Sequence, residues 1–78
     1  MGDVVKIGPN RGWGEVKYFG TVSGYKGIFY GVALDHTFGK NDGSFYGVRY
    51  FTCNPGHGCL IKRHKIIAWV GNLYNLMG

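Results

Sequence analysis

The sequence Ile28-Phe29-Tyr30-Gly31-Val32-Ala33-Leu34 is apolar throughout and lies near the middle of a chain of 78 residues. A turn of Gly24-Tyr25-Lys26-Gly27 precedes it, and a polar segment rich in Gly, Asn, Asp and Ser follows from residue 35. A short apolar run bounded by turn residues is typical of a strand that is buried on both faces. We therefore predict that residues 28–34 form the central strand of the core.

Shorter apolar segments lie on both sides of this strand, separated by Gly, Pro and Asn residues. The 15 glycines have no fixed period, so they indicate the turns and bulges of a β-fold and not a linker or a collagen-like chain. Glu15–Tyr18 alternates between polar and apolar residues, as a strand with one wet face does. The other predicted strands are Val4–Ile7, Val48–Phe51, Leu60–Lys62 and Ile66–Val70.

These strands predict an all-β fold, a small, highly twisted antiparallel sheet or partly open SH3-like barrel with long loops and little or no helix. The chain is short enough for one domain only, and its 45% of hydrophobic residues suffices for a compact core. We expect this domain to span residues 1–70. The sequence leaves open whether the tail, residues 71–78, packs against it.

The chain is strongly basic, with nine Lys and Arg against four Asp and Glu and a formal net charge of +5. Such a surface attracts anions, and nucleic acid, anionic lipid and acidic peptides all qualify. No segment approaches the ~20 apolar residues of a membrane span, and the N-terminus lacks the pattern of a signal peptide. We expect a soluble, cytosolic protein in which Cys53 and Cys59 stay reduced.

Catalytic and metal-binding patterns are weak in this sequence. Neither Ser23 nor Ser44 lies in a nucleophile motif, and only four carboxylate side chains are present. The possible zinc ligands, whose spacing is not that of a usual zinc finger, are Cys53, His57, Cys59 and His64. We therefore expect no enzymatic activity, no bound metal and no other cofactor.

The polar segment 35–47 is longer than the usual connection of about 4–6 residues, and connections of that length are often functional. Its centre reads Gly39-Lys40-Asn41-Asp42-Gly43. The glycines permit positive φ and close backbone approach, Lys40 offers a cation to a carboxylate, and Asn41 offers amide donors and an acceptor. Asp42 is suited to hydrogen-bonding the nearby backbone. The pentapeptide has the chemistry of a carboxylate receptor, although a simple glycine-rich turn has the same composition.

Together with its neighbours, the pentapeptide resembles the signature of the CAP-Gly family, the glycine-rich domain of cytoskeleton-associated proteins. The resemblance runs from about Val4 to Ile66, and it includes residues at the family's spacing after the signature. The resemblance implies a small twisted β-barrel that binds C-terminal acidic-aromatic tails, ending in Glu-Glu-Tyr/Phe or similar, of α-tubulin, end-binding proteins and cytoplasmic linker proteins. The residues after the signature are Ser44, Gly47, Arg49-Tyr50-Phe51 and Cys53.

The resemblance also assigns roles to residues and a place in the cell. It implies that Lys40 and Asn41 contact the carboxylates of the peptide, that the glycines shape the loop, and that Arg49 supports the positive field. A cytoplasmic protein of the microtubule cytoskeleton would follow, with no nucleic-acid or membrane partner. The expected peptide-binding residues are Tyr25, Phe29, Gly39, Lys40, Asn41, Asp42, Gly43, Arg49, Leu60 and Lys62.

Departures from the family pattern shift the expected groove from aromatic packing towards charge. Phe29 and Leu60 stand where the family usually has Trp and another aromatic, so the walls are smaller. Ala33 and His36 stand where Glu is common, and Lys62-Arg63-His64-Lys65 adds a basic run. We expect a binding affinity that falls as salt is added.

A second interpretation depends on the first quarter of the chain. Gly2-Asp3-Val4-Val5-Lys6-Ile7, followed by Gly12-Trp13-Gly14-Glu15-Val16, is similar to the opening of KOW-type barrels, which bind RNA. Small basic barrels with exposed aromatic residues suit nucleic acid. The sequence therefore leaves an RNA-binding barrel as the alternative function.

Overall fold

The structure is a computed structural model that describes residues 2–71. Apart from a 3-10 turn at Arg63–Lys65, its regular elements are β-strands. The strands are β1 (Val4–Ile7), β2 (Gly12–Gly20), β3 (Phe29–Leu34), β4 (Ser44–Phe45), β5 (Val48–Arg49), β6 (Gly58–Ile61) and β7 (Ile66–Gly71). No helix in this described part of the chain is long and apolar enough to span a membrane.

Five strands form one antiparallel sheet in the order β6-β3-β2-β1-β7. β4 and β5 form a separate hairpin that begins in the polar segment 35–47, the long loop, and ends just after it. Irregular register between Val16 and Tyr18 of β2, and at two places between β1 and β7, bends the sheet. The rings of Tyr30 on β3 and Trp69 on β7 lie 5.7 Å apart, although β2 and β1 separate these strands in the sheet. The prediction of an all-β, twisted and open antiparallel sheet is confirmed.

One face of the curved sheet forms the core. Along β2, Gly14 and Val16 are buried while Trp13, Lys17 and Phe19 are exposed, which is the alternation of a half-buried strand. Burying each large apolar side chain contributes about 1.5–3 kcal/mol to folding. All five strands of the sheet supply members of this cluster, which are Val5, Ile7, Val16, Val32, Leu34, Cys59, Ile61 and Ile66.

β3 differs from the prediction in its burial and in its position. Ile28 is exposed and precedes the strand, and Phe29 and Tyr30 are only half-buried, whereas Val32 and Leu34 are buried. The prediction of a strand buried on both faces is therefore wrong for the first half of β3, because grooves open beside its side chains there. The central strand of the sheet is β2, with β3 between it and β6.

Three predicted boundaries also change. β2 extends well beyond residues 15–18 because its residues 12–15 pair with β1 and its residues 14–20 pair with β3. β6 ends at Ile61, so Lys62 lies after the strand and precedes the 3-10 turn. Of the predicted tail, Gly71 belongs to β7, and residues 72–78 lie outside the described residues.

The predicted strand 48–51 is shorter than expected. Only Val48–Arg49 is a strand, and it pairs with β4. The N–H groups of Tyr50 and Phe51 instead donate to Gly43 O, at 2.9 and 3.2 Å. Because both N–H groups are bonded to Gly43 in the long loop, residues 50 and 51 do not continue the strand, and the hairpin ends at Arg49.

Replacing Ile7 by Ala tests the position of the core. Ile7 is 1% exposed and belongs to the buried cluster, so Ile7→Ala should lower the free energy of unfolding by about 2–5 kcal/mol. Ile67 is 59% exposed and provides the matched control, and Ile67→Ala should change it by less than about 0.5 kcal/mol. Urea unfolding followed by tryptophan fluorescence measures both variants. Equal losses would contradict the described core.

Candidate functional site

A groove lies between the turn after β1, the turn before β3, the long loop and the end of β6, and its volume is about 410 Å³. Most of the residues predicted to bind peptide line it. They are Tyr25, Phe29, Lys40, Asn41, Leu60 and Lys62. The other predicted residues lie in or behind the loop and outside the lining of the groove, and they are Gly39, Asp42, Gly43 and Arg49.

Backbone hydrogen bonds fix the long loop against β6. The N–H groups of Lys40 and Asn41 donate to Gly58 O at 2.8 and 3.0 Å, and Gly58 N–H donates to Asn41 O at 2.8 Å. This approach requires glycine at position 39, because a Cβ there would lie 2.5 Å from Gly58 O. Glycine is favoured at position 43 for a different reason, since the backbone φ there is +100°. The loop is therefore bonded through its backbone to β6, at the edge of the sheet.

The side chains of Lys40 and Asn41 present hydrogen-bond donors at the groove. Asn41 Oδ1 accepts a bond from Gly43 N–H at 2.9 Å, which orients the amide so that Nδ2 is the remaining donor. Within residues 2–71, neither Asn41 Nδ2 nor Lys40 Nζ makes a hydrogen bond or a salt bridge with another side chain or backbone group. Both groups are available to an anion.

Asp42 and Arg49 hold the loop from behind. Asp42 Oδ1 accepts bonds from the Ser44 hydroxyl at 2.6 Å and from Ser44 N–H at 3.0 Å, and Arg49 pairs with Oδ2 at 3.3 Å. Arg49 also donates to the carbonyl oxygens of Asp42 and Phe51, at 3.2 and 3.0 Å. The hydrogen bonds from Ser44, aided by Arg49, lower the pKa of Asp42 from 3.8 to about 2. The carboxylate is thus occupied within the loop.

An aromatic cluster forms one wall of the groove. The Tyr25 ring lies 6.1 Å from Phe29 and 5.8 Å from Phe45, centroid to centroid. Phe45, on β4, was not among the residues predicted from sequence. The available signal was a pair of adjacent aromatic residues, Phe45-Tyr46, inside a largely polar loop. Phe45 therefore adds aromatic surface to a wall in which the sequence predicted only Tyr25 and Phe29.

Lys62 is held beside this wall. Its Nζ lies 4.4 Å from the centroid of the Phe29 ring, within the range of a cation–π contact. The same Nζ donates a hydrogen bond to Lys26 O. Two contacts therefore fix the position of this cation, unlike that of Lys40.

The charge of the groove is positive. Arg11, in the turn after β1, lines the groove and was missed by the sequence analysis because only the curvature of the sheet brings that turn opposite β6. Among the described residues no Asp or Glu lines the groove. The basic residues that do so are Arg11, Lys40, Lys62, His64 and Lys65.

The residues considered as metal ligands have other contacts. Cys59 is buried at the groove, with its Sγ 3.8 Å from Val32 O, and His57 Nδ1 lies 2.7 Å from Leu34 O. Both Cys53 and Cys59 are free thiols, and burial raises the pKa of each above the usual value. No group of three or more His, Cys, Asp or Glu side chains is gathered as a metal site within residues 2–71.

Comparison with known proteins places this geometry in a family. The CAP-Gly domain matches residues 1–66 of the chain. The chain belongs to the CAP-Gly domain family. The resemblance predicted from the sequence is thereby confirmed, and the match includes the first quarter of the chain on which the KOW interpretation depended.

Several relatives of this CAP-Gly domain are much longer proteins. It is 46% identical over 55 residues to tubulin-specific chaperone B of Dictyostelium discoideum, covering 70% of this chain and 20% of that protein. It is 42% identical over 65 residues to human kinesin-like protein KIF13B, covering 83% and 4%. It is 41% identical over 66 residues to human CAP-Gly domain-containing linker protein 3, covering 85% and 12%. The chain thus spans a fifth or less of these relatives.

Two solved structures are similar to the fold described above. The Bik1 CAP-Gly domain with an ETF peptide from Bim1 has a TM-score of 0.75 and 44% identity, covering 83% of this chain and 78% of that one. The CAP-Gly domain of human kinesin-like protein KIF13B, solved in solution, has a TM-score of 0.80 and 40% identity, covering 87% and 67%. The fold and the family therefore agree.

Replacing Asp42 by Asn tests the loop through the pH dependence of stability. The folded-state pKa of Asp42 lies below its ordinary value, so its contribution is fully present above 3.8 and is lost as the pH falls towards about 2. Asp42→Asn should therefore be less stable at neutral pH and lose less stability on acidification. Urea unfolding between pH ~6 and ~2 measures both slopes.

Asp35→Asn, which changes a carboxylate in the same segment, is the control for this experiment. It should keep the wild-type slope because Asp42 retains Ser44 and Arg49 as partners. An identical pH profile for Asp42→Asn and the wild type would show that the loop is not held by this carboxylate.

Proposed function

We propose that this CAP-Gly domain binds the C-terminal tails of proteins that end in acidic residues followed by an aromatic residue, such as Glu-Glu-Tyr/Phe. One observation carries the proposal: the uncommitted donors of Lys40 and Asn41 and the aromatic cluster of Tyr25, Phe29 and Phe45 line the same groove. An acidic-aromatic tail has the complementary groups in the same short segment. The CAP-Gly domain is a protein-interaction module, and its groove serves this purpose.

The two donor residues of the groove contribute differently to affinity. Hydrogen bonds to a charged partner are worth about 1.5–3 kcal/mol when desolvated, whereas an exposed ion pair contributes about 0–1 kcal/mol. Asn41, which is half-buried and oriented by Gly43, therefore contributes more than the exposed Lys40. A tail of a few residues buries little area, so micromolar affinity, about −8 kcal/mol, is expected.

The aromatic residue of the tail packs against Tyr25, Phe29 and Phe45, with Leu60 extending the apolar surface. Lys62, held over the Phe29 ring, adds a cation at this end of the groove. Four of the predicted residues act on binding indirectly, since they shape the loop that presents Lys40 and Asn41. They are Gly39, Asp42, Gly43 and Arg49. The expectation of a groove that relies more on charge and less on aromatic packing is thus modified by Phe45, which was not among the predicted residues.

Relatives of the chain suggest where such tails occur. The solved Bik1 CAP-Gly domain is in a structure with an ETF peptide from Bim1, and other relatives are a tubulin-specific chaperone and a CAP-Gly domain-containing linker protein. We assign this chain the same class of partners: α-tubulin in microtubules and the C-terminal tails of end-binding or linker proteins. Its proposed location is accordingly the cytoplasm, at the microtubule cytoskeleton.

Calorimetric titration with a peptide ending in Glu-Glu-Tyr tests the proposal. The wild type should bind with micromolar affinity, and amidation of the terminal carboxylate or removal of the Tyr should abolish binding. Asn41→Ala should weaken binding about tenfold, the effect of 1.4 kcal/mol. An RNA-binding barrel would instead ignore the peptide and bind oligonucleotides with a steep dependence on salt. Equal affinity for the free and amidated peptides would refute the proposal.

Asn41→Asp separates the donor from the geometry of the loop. Asp at position 41 keeps an Oδ1 that accepts the bond from Gly43 N–H, but it replaces the Nδ2 donor by a negatively charged oxygen. Binding should therefore fall further than in Asn41→Ala, while the midpoint of thermal unfolding stays closer to that of the wild type. If Asn41→Asp binds like the wild type, Asn41 has only a structural role.

Replacing Tyr25 by Ala tests the aromatic wall. Tyr25 is 51% exposed and lines the groove, so Tyr25→Ala should weaken the peptide about tenfold with little loss of stability. Phe38 is 55% exposed and does not line the groove, which makes Phe38→Ala the control. Calorimetry and thermal unfolding of both variants decide the point. Similar affinities for the two variants would exclude Tyr25 from the site.

A further inference from the structure

A second pocket lies elsewhere on the sheet and shares no residue with the groove. Its lining comes from the segment before β1 and from strands β2, β3 and β7. Three of its residues are aromatic, one is a carboxylate and one is apolar, and the peptide tail proposed above makes no use of them. They are Phe19, Tyr30, Trp69, Asp3 and Val16.

The three aromatic rings form successive walls of this pocket. Phe19 and Tyr30 lie 5.0 Å apart at an interplanar angle of 65°, and Tyr30 and Trp69 lie 5.7 Å apart at 82°. The rings of Phe19 and Trp69 are therefore both steeply inclined to the ring of Tyr30, which lies between them. Phe19 is 55% exposed and Trp69 is 38% exposed, although burial of such rings would favour folding. The protein keeps π surface open to solvent at this point.

Asp3 gives the pocket a negative charge. Its Oδ2 accepts a hydrogen bond from Trp69 Nε1 at 2.9 Å, which fixes both the carboxylate and the indole. The backbone carbonyl of Asp3 accepts a bond from Val16 N–H at 2.8 Å and ties the segment to β2. No Lys or Arg lines this pocket among the described residues. On a chain with a net charge of +5, this site is locally suited to a cation.

Trp69 already makes a cation–π contact within the protein, with Arg63. The guanidinium of Arg63 lies 5.1 Å from the Trp69 ring, and its Nη1 donates to Ile66 O at 3.3 Å. Arg63 is not among the residues that line the pocket. The indole therefore already attracts one cation, and the same side chain lines the pocket.

We propose that Phe19, Tyr30, Trp69 and Asp3 form an aromatic cage for the trimethylammonium group of a methylated lysine on a partner protein. A methylated ammonium is larger and less hydrated than that of Lys, so it loses less hydration on entering a pocket of π faces and gains their electrostatic attraction. The carboxylate of Asp3 complements its permanent positive charge. Unmodified Lys pays a higher desolvation cost and binds less well.

The test uses NMR of the wild-type protein with a short glycine-rich peptide that carries one trimethyllysine. The signal of the Trp69 indole N–H, which reports the bond to Asp3, should shift with saturation, while that of Trp13 should not move. Trp13→Phe identifies the two signals. The matched peptide with unmodified lysine, and one with the uncharged carbon isostere of trimethyllysine, should each bind at least about tenfold more weakly, because the attraction depends on charge and on low hydration.

Three variants locate the site. Phe19→Leu removes a π face but keeps apolar bulk, and Asp3→Asn removes the charge but keeps an acceptor for Trp69 Nε1. Each should weaken the trimethyllysine peptide about tenfold, and Trp13→Leu, on an exposed tryptophan outside the pocket, should leave it unchanged. Binding of the acidic tail peptide, measured in parallel, verifies that each variant is folded. Absence of a saturable shift, or equal binding of the charged peptide and its neutral isostere, would overturn the proposal.

Discussion

Two backbone hydrogen bonds between Asn41 and Gly58, one in each direction, attach the long polar loop to β6. β6 pairs with β3 on its other side, so the loop covers what would otherwise be an open edge of the sheet. A side chain at position 58 would collide with the Asn41 amide oxygen, and this approach therefore requires glycine. Because the attachment uses only main-chain atoms of Asn41, its side-chain amide stays free to donate at the groove.

This attachment divides the polar residues of the loop into two sets. Asp42 directs its carboxylate to Ser44 and Arg49, and the resulting network is internal to the loop. Lys40 and Asn41 lie on the groove side, with donors that the loop itself does not use. In the pentapeptide the only carboxylate is therefore paired within the loop, while Lys40 and Asn41 keep donors at the groove. This arrangement keeps negative charge away from the groove proposed to bind an acidic tail.

The sequence predicted the fold class and the loop because both depend on local signals. Alternation located part of β2, turn residues bounded β1, and the Gly-Lys-Asn-Asp-Gly segment is informative as a contiguous motif. Arg11 was missed because only the curvature of the sheet brings its turn to the groove, and Phe45 was missed because it contacts Tyr25, which is distant in sequence. The end of β5 was misjudged for the same reason, since Gly43 O takes the N–H groups that residues 50 and 51 would have offered to a neighbouring strand.

β3 shows why an apolar run does not by itself indicate burial on both faces. Neighbouring residues of a strand point to opposite faces, so Phe29 lines the groove while Tyr30 lines the second pocket. The register of the sheet sets Phe19 opposite Tyr30, which continues the aromatic surface across β2 on that face. Val32 and Leu34, further along the same strand, are buried in the core. The first half of the run is apolar because each of its faces borders a different open aromatic surface, whereas its second half is apolar because it packs inside. Composition alone cannot separate these two causes, since both select the same residue types.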